Sequence, residues 1–103
     1  MDEKYEMNQQ ILTVKVPREL DHHIADRMRG EIEEIMEQHP LERIQFDFTK
    51  TEFMDSSGIG VIIGRCRSMG FYGGTVELKN INERVRKIIK MSGLERIVTV
   101  SDN

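Results

Sequence analysis

Cysteine is nearly absent from this sequence, since Cys66 is the only one in 103 residues. A single cysteine cannot form a disulfide within the chain, and it has no second cysteine with which to bind a metal ion. Folds that depend on disulfides or on cysteine-rich metal sites are therefore excluded, and a reducing compartment is indicated. We expect Cys66 to fill space in the core.

Long hydrophobic runs are also missing. The longest run that begins and ends on an apolar side chain covers residues 59–63 and includes Gly60, whereas a helix needs about 20 apolar residues to span a bilayer. The first six residues, MDEKYE, have neither the basic start nor the apolar stretch of a secretory signal. These absences predict a cytoplasmic protein that does not enter a membrane.

The chain lacks a basic excess and the common catalytic motifs. The chain has 15 Lys and Arg and 18 Asp and Glu, so its net charge is −3. Direct binding of nucleic acid is therefore not expected. It contains no GxxxxGK phosphate loop and no motif that places a histidine base beside a serine. We therefore expect a protein that is not an enzyme. A ligand-binding or enzymatic domain, the rival class, requires a pocket lined by convergent polar groups.

The hydrophobic residues that are present follow the periodicity of one small domain covering residues 1–103. Residues 4–16 alternate as two short strands around a turn at 8–10, and Pro17 ends the second strand because proline cannot donate to a sheet ladder. Residues 18–20 are then expected to form a loop. Helices and strands alternate from there on, as in units that build a parallel sheet. The predicted fold is a small α/β domain with a mixed sheet. Right-handed crossovers could place the helices on one face of it, and the sequence leaves open whether the remaining part of the sheet is exposed or covered by a partner.

Three helices are predicted. Strands at 44–48 and 75–78 separate them, and a last strand at 97–100 follows the third helix. Asp21 caps the first helix and Asn80 or Asn82 caps the third, which ends at Gly93 in a left-handed conformation. A turn at 70–74 follows the second helix. Its expected buried stripe consists of Ile59, Ile62, Ile63, Cys66 and Met69.

Residues 53–60, FMDSSGIG, place small polar residues and glycines where a loop becomes a helix. In one interpretation, Asp55, Ser56 or Ser57 simply caps that helix. In the other, two serines exceed what one cap requires, and an uncapped serine among small residues can enter another protein's active site as a phosphoacceptor. Phosphate adds about −1.5 to −2 charges at one position. The residues alone leave both interpretations open.

A family resemblance favours the second interpretation. Residues 54–65, MDSSGIGVIIGR, resemble the phosphorylation segment of the anti-sigma factor antagonists of spore-forming bacteria. Residues 19–23, ELDHH, are similar to that family's loop and helix start, and residues 91–94, MSGL, are similar to its segment after the third helix. The resemblance implies the STAS fold, named for sulfate transporters and anti-sigma antagonists, in which α-helices pack against a small mixed β-sheet.

The same resemblance implies the site. Ser56, the first serine after the aspartate, corresponds to the phosphorylated residue, and Asp55 would orient its loop. Ile59 and Gly60 would lie at the exposed start of the phosphorylated helix. The residues implied at the partner contact are Glu19, Leu20, Asp21, His22, His23, Asp55, Ser56, Ser57, Gly58, Ile59 and Gly60.

Partner switching is the implied mechanism. The unphosphorylated chain would bind an anti-sigma factor that is also an ATP-dependent serine kinase, releasing a sigma factor, and phosphorylation of Ser56 would end binding. A PP2C-like serine phosphatase would restore Ser56, so this chain itself would need no cofactor. Regulation of transcription in sporulation is expected. The alternative is a STAS scaffold or sensor module in another phosphorylation-controlled stress pathway.

Two further features concern the site. His22 and His23 do not predict a metal centre, because adjacent helical residues point about 100° apart and His39 is distant along the chain. Pro17-Arg18 replaces the threonine-like residue and glycine usual in the family before ELD, and no counterpart of the family's further C-terminal helix is seen. Both departures bear on the choice of partner.

Overall fold

The computed structural model describes residues 3–71 and 73–101. Seven strands, three α-helices and one 3₁₀ turn follow one another along this part of the chain. Their bounds are β1 Tyr5–Asn8, β2 Ile11–Lys15, β3 Glu19–Leu20, α1 His22–Gln38, β4 Arg43–Asp47, β5 Phe53–Met54, α2 Ser56–Phe71, β6 Thr75–Lys79, α3 Glu83–Ser92, the 3₁₀ turn Leu94–Arg96 and β7 Thr99–Ser101.

Five of the strands form one mixed sheet in the order β1-β2-β4-β6-β7. The β1–β2 pair is antiparallel, whereas β2, β4, β6 and β7 run parallel to one another. The register aligns Val14 with Phe46 and Phe46 with Leu78. The predicted hairpin followed by a parallel sheet is confirmed.

One face of this sheet is apolar and the other is polar, as the alternation within each strand requires. On the polar face, Thr13 Oγ1 donates to Gln45 Oε1 (3.2 Å) and Gln45 Nε2 donates to Glu77 Oε1 (2.8 Å). The buried residues of all three helices join the strand residues of the apolar face in one core, so the helices cover that face. Its buried strand residues are Tyr5, Leu12, Val14, Ile44, Phe46, Val76 and Leu78.

The predicted helix caps are confirmed. Asp21 Oδ1 accepts from the Ile24 N–H at 3.0 Å at the start of α1. Asn82, rather than Asn80, caps α3, because its Oδ1 accepts from the Val85 N–H at 2.8 Å. Gly93 ends α3 with φ 76°, the left-handed conformation that glycine adopts without strain.

The residues between Pro17 and α1 do not form the loop that was predicted. Glu19 and Leu20 form strand β3, which pairs in parallel with Phe53 and Met54 of strand β5. This pair of two-residue strands makes a second, separate sheet, which we call the mini-sheet. Two residues are too few to show a strand period, and the pairing joins distant segments, so no local pattern indicates it.

Other boundaries differ by a few residues. The last strand was predicted at 97–100, but the chain turns through Leu94–Arg96 and the strand covers Thr99–Ser101, leaving Ile97 exposed. Helix α2 extends to Phe71, into the predicted turn at 70–74. Tyr72 of that turn, and the first two and last two residues of the predicted domain, lie outside the described residues.

The buried side of α2 only partly matches the prediction. Ile63 and Cys66 are half-buried, and desolvation raises the pKa of the Cys66 thiol. Arg65 is unexpectedly buried and its Nη2 lies 3.2 Å from Glu33 Oε1 on α1. The residues of α2 that are buried are Gly58, Ile59, Val61, Ile62, Arg65 and Met69.

Gly58 allows α2 to pack closely against the mini-sheet. A Cβ at this position would lie 2.6 Å from Met54 Cγ and 2.8 Å from Leu20 Cδ2. We predict that Gly58→Ala lowers the free energy of unfolding, because overpacking costs about 1–3 kcal/mol and outweighs a helix-propensity gain of up to about 1 kcal/mol. Urea denaturation measures the change.

Gly30→Ala is the matched control. A Cβ at Gly30 of α1 meets no atom within 4 Å, so we expect the alanine there to raise the free energy of unfolding by about 1 kcal/mol. A Gly58→Ala variant as stable as Gly30→Ala would contradict the close packing of α2 on the mini-sheet.

Candidate functional site

The mini-sheet brings together the two segments that the sequence nominated. Its register places Glu19 beside Phe53 and Leu20 beside Met54. The Asp55 N–H then donates to the Leu20 carbonyl oxygen at 3.2 Å. The start of α1, which follows β3, and the start of α2, which follows β5, therefore lie next to each other.

Asp55 is the residue that caps α2. Its Oδ1 accepts from the Ser57 N–H at 2.8 Å, and its carbonyl oxygen accepts from the Gly58 N–H at 3.1 Å. An aspartate at this position satisfies a backbone donor that the first helical turn leaves without a partner. Neither serine is needed for the cap.

Ser56 is consequently available at the surface. Its side chain is exposed, and within the described part of the chain its hydroxyl has no hydrogen-bond partner. Ser57, the next residue, is half-buried. Of the two serines, Ser56 therefore presents the more accessible hydroxyl at a helix N-terminus.

Three of the residues that the resemblance implied at the partner contact are buried and pack under the site instead of lying on its surface. Leu20 and Gly58 are buried, and Ile59 is only 9% exposed. The burial of Ile59 that the helical periodicity predicted is confirmed, whereas the expectation from the resemblance that Ile59 lies at an exposed helix start is wrong for its side chain, because the first turn of α2 packs into the core. Gly60 is exposed, and a Cβ built there would meet no atom within 4 Å.

The start of α1 contributes polar groups. The hydrogen bond from the Ile24 N–H lowers the pKa of the Asp21 carboxyl below its usual value. His22 and His23 are both exposed, and their ring centroids lie 4.0 Å apart with a 37° angle between the planes. The two rings therefore lie side by side, although adjacent residues of an ideal helix point about 100° apart. Among residues 3–71 and 73–101, no three His, Cys, Asp or Glu side chains are grouped so that they could hold a metal ion.

The exposed and half-buried residues of segments 18–23 and 52–60 form what we call the Ser56 surface. It is acidic, because Arg18 is its only basic residue other than the histidines and forms an ion pair with Glu52. The carboxylates of Glu19, Asp21 and Asp55 are left without a lysine or arginine of this surface to balance their charge. A phosphate on Ser56 would be added to this negative charge.

Phe53 belongs to this surface, although the sequence reasoning did not include it among the site residues. It is 48% exposed, whereas its neighbour Met54 is buried. The pairing of β5 with β3 sets this alternation, so the orientation of Phe53 becomes clear only once the mini-sheet is known.

A cleft of about 720 Å³ lies elsewhere, between the end of α1 and α2. Its charged groups include Glu33 and Arg65, which pair with each other, and Arg65 Nη1 lies 3.7 Å from Met36 Sδ. Ser56 does not line this cleft. Its lining residues are Glu33, Met36, Glu37, His39, Pro40, Leu41, Arg65, Ser68 and Met69.

Comparison with known proteins identifies the class. The model of the STAS domain family matches residues 4–103, and the chain therefore belongs to that family. Within it, the anti-sigma F factor antagonist of Paenibacillus polymyxa is 37% identical over 93 residues, which are 90% of this chain and 80% of the relative.

Solved structures agree. The structure of the anti-sigma factor antagonist SpoIIAA in its unphosphorylated form matches with a TM-score of 0.86 and 31% identity, covering 96% of this chain and 87% of that one. The phosphorylated form of the Bacillus cell fate determinant SpoIIAA matches with a TM-score of 0.77 and 30% identity, covering 96% and 90%. The predicted STAS fold is confirmed. None of the helices in the described ranges is long and apolar enough to cross a membrane.

The division of roles between Asp55 and Ser56 can be tested by stability. We predict that Asp55→Ala lowers the free energy of unfolding by about 1 kcal/mol, the usual contribution of an N-cap. Ser56→Ala should leave it unchanged, because the Ser56 hydroxyl makes no hydrogen bond in the described structure. Thermal and urea denaturation of both variants measure this. A larger loss for Ser56→Ala than for Asp55→Ala would make Ser56 the cap.

Proposed function

We propose that this chain is an anti-sigma factor antagonist whose binding to its partner is controlled by phosphorylation of Ser56. The observation that carries the proposal is that Asp55 caps α2 and leaves the Ser56 hydroxyl exposed and without a partner in the described residues. The names of its relatives, including SpoIIAA in an unphosphorylated and a phosphorylated form, support it.

In this scheme, the unphosphorylated chain binds an anti-sigma factor that is also a serine kinase. The sigma factor is thereby released to join RNA polymerase in the cytoplasm. The kinase transfers phosphate from ATP to Ser56, and a PP2C-like phosphatase later removes it. The chain is a substrate and a binding partner, so it catalyses no step and needs no cofactor. Control of sporulation is the role we infer from the anti-sigma F relatives.

Phosphorylation would weaken binding for electrostatic reasons. It adds about −1.5 to −2 charges to a surface that already carries Glu19, Asp21 and Asp55. A kinase must bring the phosphates of its nucleotide close to the Ser56 hydroxyl, so the product phosphate meets like charge there. The phosphate on Ser56 would also have to lose its bound water to remain in the interface. Without a matching basic group in the partner, this desolvation costs several kcal/mol.

The same change should leave the fold intact. The N-terminus of α2 carries a partial positive charge and backbone N–H groups, which stabilise a nearby phosphate. Ser56 is exposed, so the phosphate needs no space in the core. The switch therefore acts on the surface rather than by unfolding the domain.

The site assignment is tested with one defined partner, the purified anti-sigma F factor of Paenibacillus polymyxa, which we call the anti-sigma F probe. We predict that incubation with this probe, ATP and magnesium adds one phosphate, which mass spectrometry locates on Ser56. Ser57→Ala should be phosphorylated as the wild type is, and Ser56→Ala should not. Phosphate on Ser57 with Ser56 unmodified would overturn the assignment.

The effect of charge on binding is tested by Ser56→Asp. Aspartate supplies only about one negative charge, so it should mimic phosphate in part and raise the Kd for the anti-sigma F probe at least about tenfold, or roughly 1.4 kcal/mol. Titration calorimetry measures the Kd, and circular dichroism should be unchanged.

Thr75→Asp is the matched control for charge. Thr75 is exposed at the start of β6, and its hydroxyl accepts from Arg43 Nε, so an aspartate there keeps a favourable neighbour. We expect its affinity for the probe to equal that of the wild type. If both aspartates weakened binding to the probe equally, the effect would be one of general charge. If Ser56→Asp did not weaken binding, Ser56 would not be the switch.

A further inference from the structure

Four large hydrophobic residues of the described chain are exposed, and one of them lies at the Ser56 surface. Phe71 and Met91 lie at the C-terminal ends of α2 and α3, and Ile97 directly follows the 3₁₀ turn, so none of the three belongs to the segments that form the Ser56 surface. Phe71, for example, is 15 residues further along α2, roughly 22 Å away. Phe53 is three residues before Ser56 in sequence and belongs to the mini-sheet that carries the site.

Phe53 is held in this position by the backbone. Its N–H and the N–H of Glu52 both donate to the Arg18 carbonyl oxygen, at 3.1 and 2.8 Å. Its cross-strand neighbour is Glu19, which is also exposed. On the other side of the mini-sheet, Leu20 and Met54 are buried in the core. The aromatic ring is thus presented to solvent from a fixed strand and not from a loose loop.

We propose that Phe53 is the apolar anchor with which this chain binds the protein that phosphorylates Ser56, an inference that rests on the proposed function. The partner should offer an apolar pocket for the ring, with a basic side chain at its rim to pair with Glu19. Two observations select this occupant. The ring is continuous with the Ser56 surface, and Glu19 forms no ion pair within residues 3–71 and 73–101.

The general properties of interfaces support the assignment. A few aromatic residues commonly supply most of the binding energy, surrounded by contacts that mainly exclude water. A rigid anchor loses little conformational freedom when it binds. Gly60 and Ser56, which lie about one turn apart on α2, have little side-chain bulk, so a partner can approach the helix closely beside the ring.

The test measures the Kd of the unphosphorylated chain for the anti-sigma F probe by titration calorimetry. We expect Phe53→Ala to raise the Kd at least about 30-fold, as for a hot-spot residue. Phe71→Ala removes a phenylalanine that is still more exposed, at 86% against 48%, and should change the Kd by less than about twofold, because Phe71 lies outside the proposed interface and binding energy is concentrated in a few contact residues. Glu19→Gln should mainly slow association and weaken its dependence on salt.

Phe53→Thr covers the case in which the alanine variant does not fold. Threonine keeps the strand preference of the position while removing the ring, and we expect the same loss of affinity with unchanged circular dichroism. Analytical ultracentrifugation of the chain alone provides a further check, because a change of oligomeric state in Phe53→Thr would mean that a second copy covers the ring and would overturn the proposal.

The outcomes distinguish this inference from the function on which it rests. If the wild type does not bind the probe, the proposed function fails. If the wild type binds and is phosphorylated on Ser56, but Phe53→Ala and Phe53→Thr bind equally well, the function stands and Phe53 is not the anchor. If Phe71→Ala loses as much affinity as Phe53→Ala, the contact is not specific to the Ser56 surface and the proposal is wrong.

Discussion

The capping of α2 by Asp55 determines the geometry of the whole surface. This one residue makes three hydrogen bonds: its N–H joins the Leu20 carbonyl of β3, its carboxylate accepts from the Ser57 N–H, and its carbonyl accepts from the Gly58 N–H. The end of the mini-sheet and the beginning of α2 are thus fixed to each other. Because the Asp55 carboxylate makes the cap, the hydroxyl of the adjacent Ser56 is not needed for it.

The packing beneath the cap makes this arrangement rigid. Gly58 lets α2 approach Leu20 and Met54 so closely that a Cβ would overlap them. Ile59, one position on, is buried in the common core. Such a base would let the proposed phosphorylation of Ser56 and the proposed contact of Phe53 act on a partner without refolding the domain, since both residues project from backbone that the core already holds in place.

Local patterns were sufficient to predict most of the fold, whereas the assignment of Ser56 came from the family resemblance and stays a prediction. Alternating and helical periodicities located the strands and helices, and the chemistry of Asp21 and Gly93 located two helix ends. The long-range features had no such pattern. The β3–β5 pair is too short to show a period, Arg65 has a charge that normally indicates an exposed position, and the exposure of Phe53 depends on the pairing of β5 with β3.

The most direct test of a surface switch is the amide ¹H–¹⁵N spectrum of the chain before and after phosphorylation of Ser56. A switch that acts on the surface predicts shifts confined to the mini-sheet, the start of α1 and the first turns of α2, with the amides of β2, β4 and β6 unchanged. Shifts or broadening throughout the five-stranded sheet would contradict it, because they would mean that the phosphate works by rearranging the core.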